Sequence, residues 1–202
     1  MAEANGSGVV YLLRHGTPAG GTRYRGVTDD PLSPEGWMQM QRAVAECGDF
    51  QRIVTSPLRR CADFARTLAE RRGVPLVIVP GFREMHFGAW ETKTPEALMA
   101  ACPRSLRQFW SDPAAHPPPG GEPLDEFCGR VVSAWRSQIR KLGDERLLLI
   151  VHGGTVRAIL GHVRNLSPQA LIGLDVPYAS VHRVAIGADG GLRELAHTGD
   201  VI

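Results

Sequence analysis

Short apolar runs alternate with longer amphipathic segments over most of the 202-residue chain. The runs are predicted strands at residues 9–13, 53–55, 76–79 and 147–151, and helices are predicted between them. Strands that are separated by helices favour right-handed crossovers, which place the helices on both faces of a mostly parallel sheet. The alternation therefore predicts an α/β fold.

Capping residues and glycines set the predicted helix boundaries. Ser33 and Ser56 each precede a proline, and each is a predicted N-cap. Ser33 would begin a helix at residues 34–46, and Ser56 would begin one that ends near Gly73. Further helices are predicted after Thr94, at residues 124–142 and after residue 154, and late strands at 180–186 and 192–196. We expect residues 1–202 to form one domain, in which residues 92–121 make a small cap beside the site.

Composition excludes several classes of partner. The 23 Lys and Arg residues nearly balance the 21 Asp and Glu residues, so the net charge of +2 predicts neither nucleic-acid nor membrane binding. The chain starts without a basic stretch followed by an apolar one, and we therefore expect a cytoplasmic protein. Its four cysteines form no C-x-x-C pair and its histidines no H-E-x-x-H motif, so we expect free thiols, no metal and no other cofactor.

Histidines, arginines and glycines follow three of the predicted strands: Arg14 and His15, then Arg59 and Arg60, then His152, Gly153 and Gly154. Ligands of open α/β sheets bind at the carboxyl ends of the strands, so these groups should converge on one ligand. Guanidinium groups match the oxygens of a phosphate, and glycines at a helix start expose backbone N–H groups. The pattern predicts a phosphate site.

Two kinds of side chain at this site suit phosphoryl transfer. An imidazole nitrogen attacks phosphorus and carries the phosphoryl group, and either of the two histidines could do so. Glu84 follows the third predicted strand, and a carboxyl group there would protonate the leaving alkoxide. The arginines would stabilise the charge of the transition state and keep the nucleophilic imidazole neutral.

The segments LLRHG, SPLRR, FREMHFGAWE, PPGGEP and VHGGTVR, in this order, resemble the signature series of the histidine phosphatase superfamily, the phosphoglycerate mutase-like proteins. The resemblance implies a three-layer α/β/α sandwich and a phosphohistidine intermediate. It implies that His15 is the nucleophile and Glu84 the proton donor, and that Arg14, Arg60 and His152 form the phosphate pocket, to which Gly153 adds its backbone N–H. Arg60 rather than Arg59 fills the arginine position of its motif, so Arg59 is expected to be an exposed charge.

The chain departs from the usual motifs at three places. Thr17 replaces an acidic residue, Gly20 and Gly21 stand near the position of a common asparagine, and Pro123 replaces a serine. None of these changes removes a core catalytic group. They bear on substrate preference more than on activity.

Within the superfamily, YRGVTDDPLSPEGWMQM and the stretch FWSDP ahead of PPGGEP look like α-ribazole phosphatases. The likeness implies dephosphorylation of α-ribazole 5′-phosphate in cobalamin biosynthesis. Tyr24 and Arg25 lie on the loop beside the nucleophile, and we expect them to contact the substrate beyond its phosphate. The alternatives are a phosphatase of another small sugar or organic phosphate, a phosphoglycerate mutase, and an inert phosphate-binding module. The compact interval between residues 84 and 121 disfavours a mutase. Only a small-molecule phosphomonoester is expected as a partner. The four tryptophans are interpreted as packing residues: Trp37, Trp90, Trp110 and Trp135.

Overall fold

The structure, a computed structural model, describes residues 8–195. Its strands are β1 (Gly8–Arg14), β2 (Arg52–Thr55), β3 (Leu76–Ile78), β4 (Arg146–Val151), β5 (Val181–Ile186) and β6 (Leu192–Leu195). Its α-helices are α1 (Pro34–Ala45), α2 (Arg59–Arg72), α3 (Pro95–Ala101), α4 (Pro103–Ser111), α5 (Leu124–Ile139) and α6 (Gly153–Val163).

The strands form one six-stranded sheet in the order β3-β2-β4-β1-β5-β6. The first four strands along the chain are parallel to one another, whereas β5 and β6 add an antiparallel edge. The predicted mostly parallel sheet is confirmed. Because β4 pairs with both β1 and β2, Leu149 lies between Leu12 and Val54. The loops that follow β1 and β4 therefore begin side by side at the same edge.

Helices cover both faces of the sheet, and this confirms the three-layer sandwich. Successive residues of a strand point to opposite faces. Leu12 of β1 accordingly packs in a cluster with Trp135 of α5, whereas the next residue, Leu13, packs with Met40 of α1 and Phe64 of α2. All five side chains are almost fully buried. The two apolar layers fix the sheet between the helices and hold the strand ends in place.

The segment predicted as a cap contains two short helices. Thr94 caps α3, since its Oγ1 accepts a hydrogen bond from the N–H of Ala97 at 3.1 Å. Helix α4 follows after one residue and starts at Pro103, a helix that the sequence pattern did not indicate. Residues 112–123 are rich in proline and contain no helix or strand. Proline has no backbone N–H to donate, so it disfavours both kinds of element.

One predicted helix cap is wrong. Ser33 caps α1 through a hydrogen bond from the Gly36 N–H at 3.0 Å, but α2 begins only at Arg59, after Leu58 as its N-cap. Ser56 is instead engaged by the ring of His152. The last predicted strand is confirmed up to Leu195, and Ala196 lies outside the described residues. The first seven residues, on which the expectation of a cytoplasmic protein rests, lie outside them as well.

Candidate active site

A cavity of about 360 Å³ opens where the loops after β1 and β4 meet. Four of the residues predicted to act on the phosphate line this cavity: Arg14, His15, Glu84 and Gly153. Tyr24 and Arg25, predicted to contact the rest of the substrate, line it as well. Arg60 and His152 have no solvent-exposed surface and lie beneath its wall.

The ring of His15 is held in one orientation. Its Nδ1 lies 2.8 Å from the carbonyl oxygen of Gly16, and a carbonyl can only accept, so Nδ1 carries the proton. Burial lowers the pKa of His15 well below its usual value, and the nearby cations Arg60 and Arg14 lower it further. The ring is therefore neutral at neutral pH, and its Nε2 keeps a lone pair for attack.

Two hydrogen bonds define which ring nitrogen of His152 carries the proton. The Nε of Arg60 donates to Nδ1 at 3.2 Å, so the ring proton is on Nε2, which donates to the Oγ of Ser56 at 2.7 Å. Burial, followed by the charge of Arg60, lowers the pKa of His152 well below its usual value. The ring centroids of His15 and His152 are 5.3 Å apart, so a second neutral imidazole stands behind the first.

Arg60 ties the loop after β1 to the floor of the site. Besides His152, its guanidinium donates to the carbonyl oxygens of Thr28 at 2.7 Å, Gly26 at 2.9 Å and Arg25 at 3.3 Å. These bonds use four of its five N–H donors, and one N–H of Nη1 has no acceptor among the described residues. The neighbouring Arg59 is exposed and pairs with an aspartate of its own helix, as expected.

Arg14 and a second arginine converge on Gly153. A Cβ on Gly153 would stand 3.1 Å from Nε of Arg14 and 3.2 Å from Nη1 of Arg157, so the absence of a side chain admits both guanidinium groups. Arg14 also donates to the Val176 carbonyl at 2.5 Å and lies 4.0 Å above the ring of Tyr178. Its buried Nε has no hydrogen-bond partner. Two like charges with an unused donor are a suitable site for an anion.

Sequence reasoning missed Arg157 and Tyr178, which both line the cavity. A signal for Arg157 existed, because it stands four residues after Gly153 and so lies on the same face of the first turns of α6. Tyr178 comes from the loop before β5, and no strand-end pattern indicates it.

The carboxylate of Glu84 is almost fully buried beside the start of α6. Its Oε1 accepts the N–H of Met85 at 2.9 Å, and its Oε2 accepts the N–H of Gly154, also at 2.9 Å. Backbone donors at a helix start stabilise negative charge. Glu84 thus lines the same cavity as His15 with its orientation fixed.

Aromatic side chains form much of the opposite wall. The cavity is lined there by Tyr24, Phe87, Phe109 and Trp110, and the Nε1 of Trp110 donates to the hydroxyl of Tyr24 at 2.9 Å. Trp110 is 43% exposed and lines the cavity, whereas Trp90 and Trp135 are buried. Arg25 is 7% exposed, and its guanidinium already pairs with Asp30 at 2.7 Å.

Among residues 8–195, no cluster of three or more His, Cys, Asp or Glu side chains is placed to hold a metal ion. All four cysteines lie in this part of the chain and are free thiols; Cys47 and Cys61 are buried, and Cys102 and Cys128 are partly exposed. In the same part, no helix is both long and apolar enough to span a bilayer.

Comparison with known proteins gives consistent matches. The profile of the histidine phosphatase superfamily (branch 1) matches residues 10–198. A glucosyl-3-phosphoglycerate phosphatase of Mycolicibacterium vanbaalenii is 32% identical over 178 residues, which are 83% of this chain and 75% of that protein.

Solved structures have the same fold. Bacillus stearothermophilus YhfR superposes with a TM-score of 0.85 at 26% identity, over 96% of this chain and 98% of that one. The α-ribazole phosphatase from Shigella flexneri superposes with a TM-score of 0.79 over 94% and 96% of the two chains. At 23% identity, this second likeness is one of fold alone.

Proposed function

The chain belongs to branch 1 of the histidine phosphatase superfamily and is a phosphatase, and we propose that it hydrolyses phosphomonoesters through a phosphohistidine formed on His15. The observation that carries this proposal is the state of the His15 ring. It is neutral, its Nδ1 proton is bound by the Gly16 carbonyl, and it lines a cavity together with cationic Arg14. A free imidazole lone pair beside a guanidinium is what attack on a bound phosphate requires.

The reaction has two steps. In the first, Nε2 of His15 forms a bond to phosphorus, the bond from phosphorus to the leaving oxygen breaks, and the Glu84 carboxyl group gives that oxygen a proton. In the second, a water molecule attacks the phosphohistidine, the Glu84 carboxylate accepts the proton of the water, and inorganic phosphate leaves. Arg14 and the N–H groups at the start of α6 stabilise the charge on the transferred group.

Arg60 and His152 act from beneath the cavity in this proposal. Their side chains are buried and hydrogen-bonded to each other. The guanidinium of Arg60 adds positive potential, and the neutral ring of His152 supports the His15 ring from behind. The fifth N–H of the Arg60 guanidinium, on Nη1, is left for a contact with the phosphate. Their removal should therefore slow the reaction without abolishing the covalent step.

For the leaving group we propose the ribose of α-ribazole 5′-phosphate, and hence a role in cobalamin biosynthesis. The aromatic wall supports this choice, because Tyr24, Phe109 and the exposed Trp110 offer flat apolar surface to a planar base. We also propose a single domain in which residues 92–121 act as the cap, since Phe109 and Trp110 of α4 reach Tyr24 across the cavity.

A second candidate is a phosphatase of another small sugar or organic phosphate. Arg23 and Arg157 also line the cavity, and guanidinium groups beyond the phosphate site suit a leaving group that carries a carboxylate. The name of the relative from Mycolicibacterium vanbaalenii describes a substrate of this kind.

A panel of substrates decides between the candidates. The kcat/KM values would be measured for α-ribazole 5′-phosphate, glucosyl-3-phosphoglycerate, 3-phosphoglycerate and p-nitrophenyl phosphate. The highest value for α-ribazole 5′-phosphate is expected, whereas a preference for either phosphoglycerate supports the second candidate. Formation of 2-phosphoglycerate from 3-phosphoglycerate would indicate a mutase, and no turnover of any substrate an inert binding module.

A further inference from the structure

Arg130 of α5 uses all five donors of its guanidinium, three on the segment that carries Glu84 and two on Glu122. Its Nη1 donates to the carbonyl oxygens of Gly81 at 3.0 Å and Arg83 at 2.7 Å, and its Nη2 donates to the carbonyl oxygen of Glu84 at 3.0 Å. The remaining N–H groups, on Nε and Nη2, donate to the two carboxylate oxygens of Glu122, at 2.6 and 2.7 Å. An arginine has five N–H donors, so none is left over.

Glu122 holds the other side of the same segment. Its carboxylate accepts the backbone N–H of His86 at 3.3 Å, and its own N–H donates to the carbonyl oxygen of His86 at 2.9 Å. The backbone of residues 81–86 is therefore fastened before Glu84 by Arg130 and after it by Glu122. We call the pair Arg130 and Glu122 the clamp.

We propose that the clamp positions the carboxyl group of Glu84 for proton transfer to the leaving oxygen; the inference rests on the acid role of Glu84 in the proposed function. A general acid has to lie within hydrogen-bond reach of the oxygen that it protonates. The side chain of Glu84 is buried and its carboxylate is bound by two backbone N–H groups, so a shift of its backbone displaces the carboxylate from these donors. Its other contacts, to the N–H groups of Met85 and Gly154, orient the carboxylate but do not hold the segment to α5.

The clamp accounts for a part of the sequence with no other role in the site. Glu122 belongs to the PPGGEP segment, and Arg130 lies two turns further along the chain in α5. The guanidinium of Arg130 also lies 4.9 Å from the ring centroid of Phe127, which lines the cavity. Neither residue of the clamp lines the cavity itself, so both are positioning residues.

A purely structural pair and a positioning clamp predict different kinetics. Loss of a structural pair lowers the amount of folded enzyme and reduces turnover of every substrate by the same factor. Displacement of a general acid slows substrates with a strongly basic leaving group most, because these depend on the proton. The rate ratio between p-nitrophenyl phosphate and an alkyl phosphate thus reports on the acid alone.

The experiment measures this ratio for Arg130→Lys, which keeps the charge but has too few donors, and for Glu122→Gln, which keeps the size. Glu84→Gln gives the full effect for comparison, and Arg136→Lys, on an exposed position of the same helix, is the matched control. A misplacement of about 1 Å can cost about 10²-fold in rate. We expect both clamp variants to raise the ratio at least several-fold at nearly unchanged KM, the control to leave it unchanged, and thermal melts to show folded protein throughout.

The outcomes separate this inference from the proposed function. If Glu84→Gln raises the ratio while both clamp variants lower the two rates equally, the clamp is only structural and the inference is wrong. If Glu84→Gln leaves the ratio unchanged, the acid role in the proposed function fails, and the inference fails with it. If Arg130→Lys does not fold, the milder Glu122→Gln decides, since it retains the charge and all donors of Arg130.

Discussion

Glu84 and Gly154 are joined by a hydrogen bond of 2.9 Å that links the loop after β3 to the start of α6. The approach is so close that a Cβ on Gly154 would overlap Oε1 of Glu84. The missing side chain of one residue therefore determines where the carboxylate of the other can lie. Gly154 is needed here for space and not for backbone conformation.

Gly154→Ala should displace the Glu84 carboxylate and slow hydrolysis of alkyl phosphates, by up to about 10²-fold for a shift of about 1 Å. Steady-state kinetics with an alkyl phosphate check this. The matched control is Gly129→Ala in α5, where an added Cβ meets nothing within 4 Å. That variant should keep full activity. Its free energy of unfolding should rise by about 0.5–1 kcal/mol, because alanine is more favourable than glycine inside a helix. Equal activity of the two variants would contradict the prediction.

His15→Ala should abolish turnover, because alanine cannot form a bond to phosphorus. His152→Ala should retain weak activity, because the nucleophile remains but loses the ring that supports it from behind, and a misplacement of about 1 Å can cost about 10²-fold in rate. Brief mixing with ³²P-labelled substrate, acid quench and alkaline work-up would show the label on His15 in the wild type and in His152→Ala. The exposed His116→Ala is the control. Label on His152 would show that the two roles are assigned the wrong way round.

Stability should fall as the pH decreases below about 6.5, the usual pKa of histidine. The pKa values of His15 and His152 are lowered in the folded protein, so below that pH the unfolded chain binds protons that the folded one does not. Linkage gives a loss of about 1 kcal/mol per histidine for each pH unit between the unfolded and folded values. Denaturant unfolding at about pH 7.5 and about pH 5.5 measures it.

The His152→Gln variant tests the origin of this pH dependence. It removes one of the two titrating rings, so the difference in unfolding free energy between the two pH values should become smaller, whatever happens to the stability itself. His116→Gln, at an exposed position, should leave the difference as in the wild type. An unchanged difference in His152→Gln would assign the effect to other groups.

Trp110→Leu should raise the KM for a substrate with an aromatic base and leave that for ribose 5-phosphate unchanged. Aromatic contacts contribute about 0.5–1.5 kcal/mol, which corresponds to a rise of roughly 2- to 10-fold. The same substitution at Trp37, which packs on Phe64 at the other face of the sheet, is the control. A similar rise for both substrates would mean that Trp110 shapes the cap and does not bind the base.

The sheet was predictable because β1, β2 and β4 are central strands, buried on both faces, and such strands are continuous apolar runs. The ends of those strands also indicated that His15 and His152 lie near each other. Local patterns failed where a tertiary contact decides. Ser33 and Ser56 both precede a proline, yet only Ser33 caps a helix, because the Oγ of Ser56 is 2.7 Å from the His152 ring.

The position of a strand end does not predict whether the residue that follows it reaches the cavity or is buried beneath it. A residue that follows a strand lies near the edge of the sheet, but the loops packed over that edge decide whether it reaches the cavity. Arg60 is covered by the loop at residues 25–28, whose carbonyl groups take up three of its five N–H donors. Arg157 reaches the cavity because Gly153 leaves room for it. Both outcomes depend on contacts between segments far apart in the chain.

The place of β4 in the sheet affects how the protein is made. β1 and β2 are not neighbours, and the strand that joins them, Arg146–Val151, is synthesised late. For most of translation the nascent chain therefore exposes apolar strands with unpaired edges, which bind chaperones or aggregate. Pairing across so long a stretch of sequence is slow. Because His152 directly follows β4, the insertion of this strand beside β1 and the assembly of the two histidines are one event.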